Sequence, residues 1–443
     1  MYILKVGIVL LLSLTVLCEE YEDAFEEYAD QFKNIIVHED YGLDIYNFLY
    51  KYNYPTQTHW VQTEDGYVLR MQRISSRHGN FADSKNKPAI LLMHGILSSA
   101  MDFVFMGPNK SLGLVLADAG FDVWLGNNRG NTWSRQHVTL DPDIDAKFWD
   151  YSFETCGYYD LPAKIDYIIE QTGQEKIFYV GHSQGTTQFF AMTALRPEYN
   201  DKIALMSALA PVAFMKHLSS PIPRFMGKYM DIIKLAADLF HIHEFLGHSW
   251  LISEIAKQFC SDNSTVQESC AIFLFTLCGY DSPQLDRSLI PVLASNAPAG
   301  ISIKMLLHYG QEIRSGYFRR FDHGLLLNLK YYKSVTPPAF QLSAITAPVA
   351  LYYSQNDYFA AVQDVERLAT ELPNVVKKRL IEYKLFNHLD FIFAKNTNEI
   401  INMDLVAHLK EYVKGPTSGG NNIIIEKYIF ITLIITIWTI YFK

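Results

Sequence analysis

The stretch Lys176-Ile177-Phe178-Tyr179-Val180-Gly181-His182-Ser183-Gln184-Gly185, followed by Thr186 to Leu195, constrains this chain more than any other. Its β-branched and aromatic first half reads as a strand, and the residues after Gly185 can wind as a helix. Between them stands G-x-S-x-G. The glycines let strand and helix meet around a sharp turn that leaves the serine hydroxyl projecting at the strand's C-terminal end. So short a motif also occurs by chance; the strand before it and the helix after it make this one informative.

Four strand-like runs, Ala89 to Met93, Asp122 to Leu125, Ile177 to Val180 and Ala204 to Ala208, alternate with helical stretches. That order predicts an α/β fold, a mostly parallel central sheet with helices on both faces. Trp60 to Ile74, turning at Thr63-Glu64-Asp65-Gly66, predicts a β-hairpin ahead of it. From about Pro211 to Thr336 the pattern becomes amphipathic and helical, as in Met230 to Leu246 and Ile303 to Ile313. Strand-like runs return at Val349 to Tyr353 and Arg379 to Phe386, and Met403 to Val413 reads as a helix. The expected organisation is one core, residues 19–210 and 337–414, interrupted by a mainly helical cap, 211–336. With 443 residues, 49% hydrophobic and 19% charged, the chain can bury such a core. Its net charge of −9 offers no basic face for nucleic acid.

A serine hydroxyl is a poor nucleophile near neutral pH and needs a base that an acid orients. Asp357 follows the strand-like Val349 to Tyr353, and His388 follows the run ending at Phe386. Both therefore fall at the sheet edge that carries Ser183, in the order serine, acid, histidine. Asp364 and Asp390 are rival acids, and His308 and His323 are rival bases inside the presumed cap. An oxyanion needs backbone donors within about 3 Å. The amide of Gln184, after the nucleophile, is one candidate. The amide of Ile96, in the apolar strand's exit Met93-His94-Gly95-Ile96, is the other. No metal-ligand cluster stands out.

Met1 to Cys18 carries one early Lys5, an apolar run and small residues near its end, which reads as a signal peptide at residues 1–18. A secretory route, extracellular or lumenal, gives weight to the glycosylation sequons at Asn109 and Asn263, and to disulfide bonding among Cys156, Cys260, Cys270 and Cys278. Cys260 and Cys270 enclose a polar stretch that a bridge would close into a loop; pairing of all four cysteines is the alternative.

Residues 415–443 form a linker and an apolar tail. Ser418-Gly419-Gly420, a short spacer and the apolar Tyr428 to Phe442 match a GPI-anchor signal, with Ser418 the attachment candidate. A short membrane helix and a tail packed elsewhere are the alternatives, although a spanning helix needs about 20 apolar residues. Phospholipase C treatment of expressing cells should release the protein into the medium. Membrane-retained protein with intact peptides beyond Lys427 would favour the helix.

Several segments together resemble the acid lipase family, which includes gastric, lingual and lysosomal acid lipases. They are Thr63-Glu64-Asp65-Gly66-Tyr67, His94-Gly95-Ile96-Leu97-Ser98-Ser99, Gly120-Phe121-Asp122-Val123-Trp124-Leu125-Gly126-Asn127-Asn128-Arg129-Gly130-Asn131-Thr132-Trp133-Ser134, Gly181-His182-Ser183-Gln184-Gly185, Asn356-Asp357 and Asn387-His388-Leu389-Asp390. The run from Asp122 to Ser134 is far more specific than the serine motif. The resemblance implies the α/β-hydrolase fold, Ser183 as nucleophile, Asp357 as acid, His388 as base, and Gln184 and Ile96 as oxyanion amides. It also implies a Cys260–Cys270 bridge, no metal or organic cofactor, and neutral-lipid esters at a lipid or membrane surface as substrate. The sequence departs from the family at Asn128, where many members have serine, and at Phe321-Asp322-His323-Gly324, where the family usually carries tryptophan. An esterase or acyltransferase on smaller esters, and a non-catalytic binding protein of the same fold, are the competing readings. Aromatic residues of the cap, Phe240, Phe245, Phe273 and Phe275, suit long acyl chains, but core packing accounts for them equally well.

Overall fold

The computed structural model describes residues 38–247, 260 and 267–413. The expected signal peptide, the Asn263 sequon and the apolar tail with Ser418 lie outside the described residues.

After a short helix α1 (Ile45–Lys51), the hairpin β1 (Thr56–Gln62) and β2 (Tyr67–Ile74) pairs antiparallel around the Thr63–Gly66 turn. Next come β3 (Ala89–Met93), α2 (Leu112–Asp118), β4 (Asp122–Gly126), β5 (Gln136–His137), α3 (Leu161–Thr172), β6 (Ile177–His182), α4 (Gln184–Leu195) and β7 (Ile203–Leu209). The insertion holds α5 (Pro221–Leu239), β8 (Glu244–Phe245), α6 (Gln267–Cys278), β9 (Ile301–Ser302), α7 (Ile303–Ser315) and α8 (Leu325–Tyr332). The chain then returns through β10 (Val349–Tyr353), α9 (Val362–Glu371), β11 (Val375–Leu380) and α10 (Met403–Val413).

The nine-stranded sheet runs β1-β2-β4-β3-β6-β7-β10-β11, with β5 on β2. It is parallel from β4 to β11 and antiparallel around β2. β3, β4, β6 and β10 are buried along their whole length, as strands covered on both faces must be. β3 lies between β4 and β6, so the strand order reverses there and the loops leaving β3 and β6 emerge side by side. This crevice positions the site.

Two elements differ from the sequence reading. The helix expected over Met230 to Leu246 starts at Pro221 and stops at Leu239. His241 turns the chain with φ 54°, and Glu244–Phe245 pairs with Ile301–Ser302 instead. The strand expected over Arg379 to Phe386 is Val375–Leu380. At the edge of the sheet it needs only alternation, and its Lys377 and Arg379 bond Asp404 of α10 at 2.7 Å each. The following residues form a loop anchored by buried Ile381 and Phe386, which delivers His388.

Candidate active site

Ser183 sits between β6 and α4 with φ 51° and ψ −115°, a left-handed conformation that costs a non-glycine residue about 1–3 kcal/mol. The surroundings enforce it. Its N–H donates to the carbonyl of Leu209 at the end of β7 (3.0 Å), and its own carbonyl accepts from the Thr186 hydroxyl (2.7 Å). The flanking glycines are steric requirements. A Cβ on Gly181 would lie 2.6 Å from the carbonyl carbon of Gly185, and one on Gly185 would lie 2.2 Å from the carbonyl oxygen of Met93.

His388 Nε2 lies 2.8 Å from Ser183 Oγ, and His388 Nδ1 lies 2.9 Å from both carboxylate oxygens of Asp357. Asp357 Oδ1 also accepts from the backbone N–H groups of Phe359 and Ala360, each at 2.8 Å, which fixes the carboxylate. All three residues are buried. Donation from Nδ1–H to the carboxylate leaves the Nε2 lone pair facing the serine hydroxyl, the arrangement a general base needs.

Gly95 brings the loop after β3 against the serine, since a Cβ there would be 3.4 Å from that of Ser183. His94 holds this loop from inside. Its Nδ1–H donates to the Gly95 carbonyl (2.8 Å), while Nε2 accepts from the Asn128 amide (3.2 Å) and the Asn131 carboxamide (3.3 Å). Burial pushes its pKa down to about 4, so the ring stays neutral. His182 Nε2–H donates to the carbonyl of His388 (3.0 Å), and burial, followed by the nearby His388, lowers its pKa to about 3. Among the described residues the amides of Ile96 and Gln184 have no hydrogen-bond acceptor, and Gln184 opens α4, where N–H groups point out of the helix without acceptors.

The rivals have other partners. Asp364 accepts from His217 (2.8 Å), and Asp390 Oδ2 accepts from the Asn387 amide (2.6 Å). His308 is buried between the Ser152 hydroxyl and the Arg319 carbonyl, stacked on Phe153. His323 packs against Phe321 and Tyr331. Phe321, in the variant cap motif, joins an apolar cluster with Met230, Ile303 and Leu307. Phe275 is core packing with Ala271 and Ile290, whereas Phe240 and Phe273 are exposed. Asn128 is buried, and its carboxamide has no partner among the described residues. Cys260 and Cys270 are joined, Cys156 and Cys278 are buried free thiols, and Asn109 lies exposed on a turn.

Sequence reasoning passed over Arg129. Its guanidinium is buried between Asp160 and Asp65 and lies 3.8 Å over the Tyr67 ring. Its place in the specific Asp122 to Ser134 run was the only signal; Asp160, just before α3, reads as an ordinary helix start.

A family model described as alpha/beta hydrolase fold matches residues 88–395, and one described as a partial alpha/beta-hydrolase lipase region matches 45–107. The chain is 40% identical to Lipase 3 of Drosophila melanogaster, over 81% of this chain and 91% of that protein. It is 39% identical to gastric triacylglycerol lipase of Rattus norvegicus (84% and 92%), and 36% identical to Lipase member K of Homo sapiens (84% and 92%). In structure it is similar to a candidate lipase of Sulfolobus solfataricus, with TM-score 0.53 at 14% identity over 81% of this chain and 95% of that one, a likeness of fold. With the elbow, the sheet order and these relatives in agreement, the chain belongs to the acid lipase-like family of α/β hydrolases, a family of carboxylic ester hydrolases.

Proposed function

We propose that the protein hydrolyses neutral-lipid esters, triacylglycerols or steryl esters, through an acyl-enzyme on Ser183. The unbroken hydrogen-bond chain from Ser183 through His388 to Asp357 carries this reading. Ser183 Oγ attacks the ester carbonyl as His388 Nε2 takes its proton. The amides of Gln184 and Ile96 receive the oxyanion, and the imidazolium, held by Asp357, protonates the departing alcohol. Water activated by the same histidine then releases the fatty acid. Protein groups supply every step, so the mechanism calls for no metal or cofactor.

The substrate class rests on the relatives named triacylglycerol lipase. Residues 211–336 act as a cap over the core, and the buried Ser183 becomes accessible to a long-chain ester when part of that cover moves. A leader at residues 1–18, an exposed sequon at Asn109 and the Cys260–Cys270 bond support work in an extracellular or lumenal compartment.

Purified protein assayed on p-nitrophenyl butyrate, triolein and cholesteryl oleate over several pH values tests this, with Ser183→Ala as control. Turnover of triolein or cholesteryl oleate should exceed the control by orders of magnitude. Hydrolysis confined to the butyrate ester would reduce the protein to a short-chain esterase.

A further inference from the structure

The acid and base of the site ride on separate loops, and one segment of the insertion holds both. Gly279 (φ +115°) lies so close that a Cβ there would sit 2.1 Å from the Asn356 carbonyl oxygen and 3.0 Å from Cβ of Asn387. The Cys278 carbonyl accepts from the backbone N–H groups of Tyr358 (3.4 Å) and His388 (3.3 Å). Asn387 Nδ2 donates to the Gly279 carbonyl (2.9 Å), and Asn356 Nδ2 donates to the carbonyls of Tyr280 (2.9 Å) and Leu385 (2.6 Å).

All of these bonds are indifferent to pH. One bond in the same seam is not. Asp281 and Asp390 are both buried and are electrostatic neighbours, and Asp281 Oδ2 is buried with no donor among the described residues, so a bond between the two carboxyls requires a proton on one of them, because carboxylates only accept. Asp281 Oδ1 also accepts from the Tyr383 hydroxyl (3.0 Å) and the Gln284 amide (3.4 Å), and Asp390 Oδ2 from the Asn387 amide, the residue before the catalytic base. Among the described residues no lysine, arginine or histidine bonds either carboxyl.

We propose that Asp281 and Asp390 are positioning residues for His388: one proton shared between their carboxyls closes the seam between the insertion and the histidine loop, and its loss opens that seam. The proposal takes from the reading above only that His388 is the base. The electrostatics agree. Burial first, then the charges of Asp281 and Asp357, push Asp390 up to about 9, and burial raises Asp281 as well. The other ionisable neighbours, Tyr383, pushed up to about 12, and the Cys278 thiol, raised by burial, bring no positive charge. Both carboxyl pKa values are raised on folding, so their contribution to stability is full below the unfolded carboxylate value of about 4 and is lost as pH climbs through about 9.

Asp281→Asn and Asp390→Asn supply a permanent N–H in place of the shared proton, whereas Asp281→Ala removes the bond. With each kcat–pH profile scaled to its own maximum, the asparagine variants should move the alkaline limb up by at least one pH unit. Their thermal midpoints should fall less than the wild type's between pH 5 and pH 9. Asp281→Ala should lower kcat more than tenfold at neutral and acidic pH, where the shared proton is present, and should approach the wild type as pH rises above about 9. An unmoved alkaline limb with parallel melting curves, or asparagine variants as impaired as alanine, would overturn the proposal. If wild-type protein hydrolyses no ester, the functional reading fails, and the melting curves still decide the role of the pair.

Discussion

Ser183→Ala and His388→Ala are each expected to lower kcat on a turned-over ester by at least about 10³-fold, with Asp357→Asn comparable. The three residues form one hydrogen-bonded unit, with contacts of 2.8 and 2.9 Å, so removing any member disables the proton transfer. The double variant Ser183→Ala/His388→Ala should therefore cost little more than either single one. Asp357→Asn tests orientation. Its amide can donate to His388 Nδ1, which favours the tautomer with Nε2 protonated and unable to accept from serine. Steady-state kinetics on folded variants measures all four; retention of most activity by Ser183→Ala would remove the catalytic reading altogether.

Arg129→Ala is expected to cost about 3–5 kcal/mol of stability, the largest effect outside the site itself. Arg129 Nε lies 2.7 Å from Asp160 Oδ1, and its terminal nitrogens bond both oxygens of Asp65 at 2.6 and 2.9 Å. Asp160 is fully buried, so truncation leaves an uncompensated carboxylate in the core. The pairs hold Arg129's carboxylate partners well matched, and burial works against them: the neighbouring charges outweigh it and keep the guanidinium pKa well above its usual value. Arg129→Lys should restore little, because an ammonium cannot bond both oxygens of Asp65 and reach Asp160 Oδ1 at the same time. The loop is also coupled to the chemistry, since the amide of adjacent Asn128 holds His94, whose loop flanks Ser183. Denaturant titration should show the loss as an earlier midpoint; a shift equivalent to under about 1 kcal/mol would mean the network is dispensable.

Much of this protein is local chemistry. The elbow was legible because each of its requirements is met within ten residues: a β-branched strand, two glycines where Cβ atoms would collide with backbone, and a helix to follow. β3 and β10 were readable to the residue because buried parallel strands are continuous apolar runs, and α10 because its apolar face repeats at helical spacing. The edge strand was misplaced for the same reason in reverse. Val375–Leu380 alternates with lysine and arginine, and the more apolar run after it is a loop whose burial depends on distant neighbours.

Asp357, Asp364 and Asp390 are alike in sequence, each an aspartate near a strand or turn. Only the fold aims Asp357 at the imidazole, gives Asp364 to His217, and sets Asp390 beside Asp281, which is 109 residues away by the sequence numbers. The sequence by itself determined the fold class, the candidate nucleophile and the order of the candidate site residues, because turn sterics and periodic burial act over a few neighbouring residues. Tertiary structure alone decided which acid serves the histidine, where Arg129 buries its charge and how the insertion grips both catalytic loops, because ionisation and pairing depend on burial and distance between groups that the chain brings together only once folded.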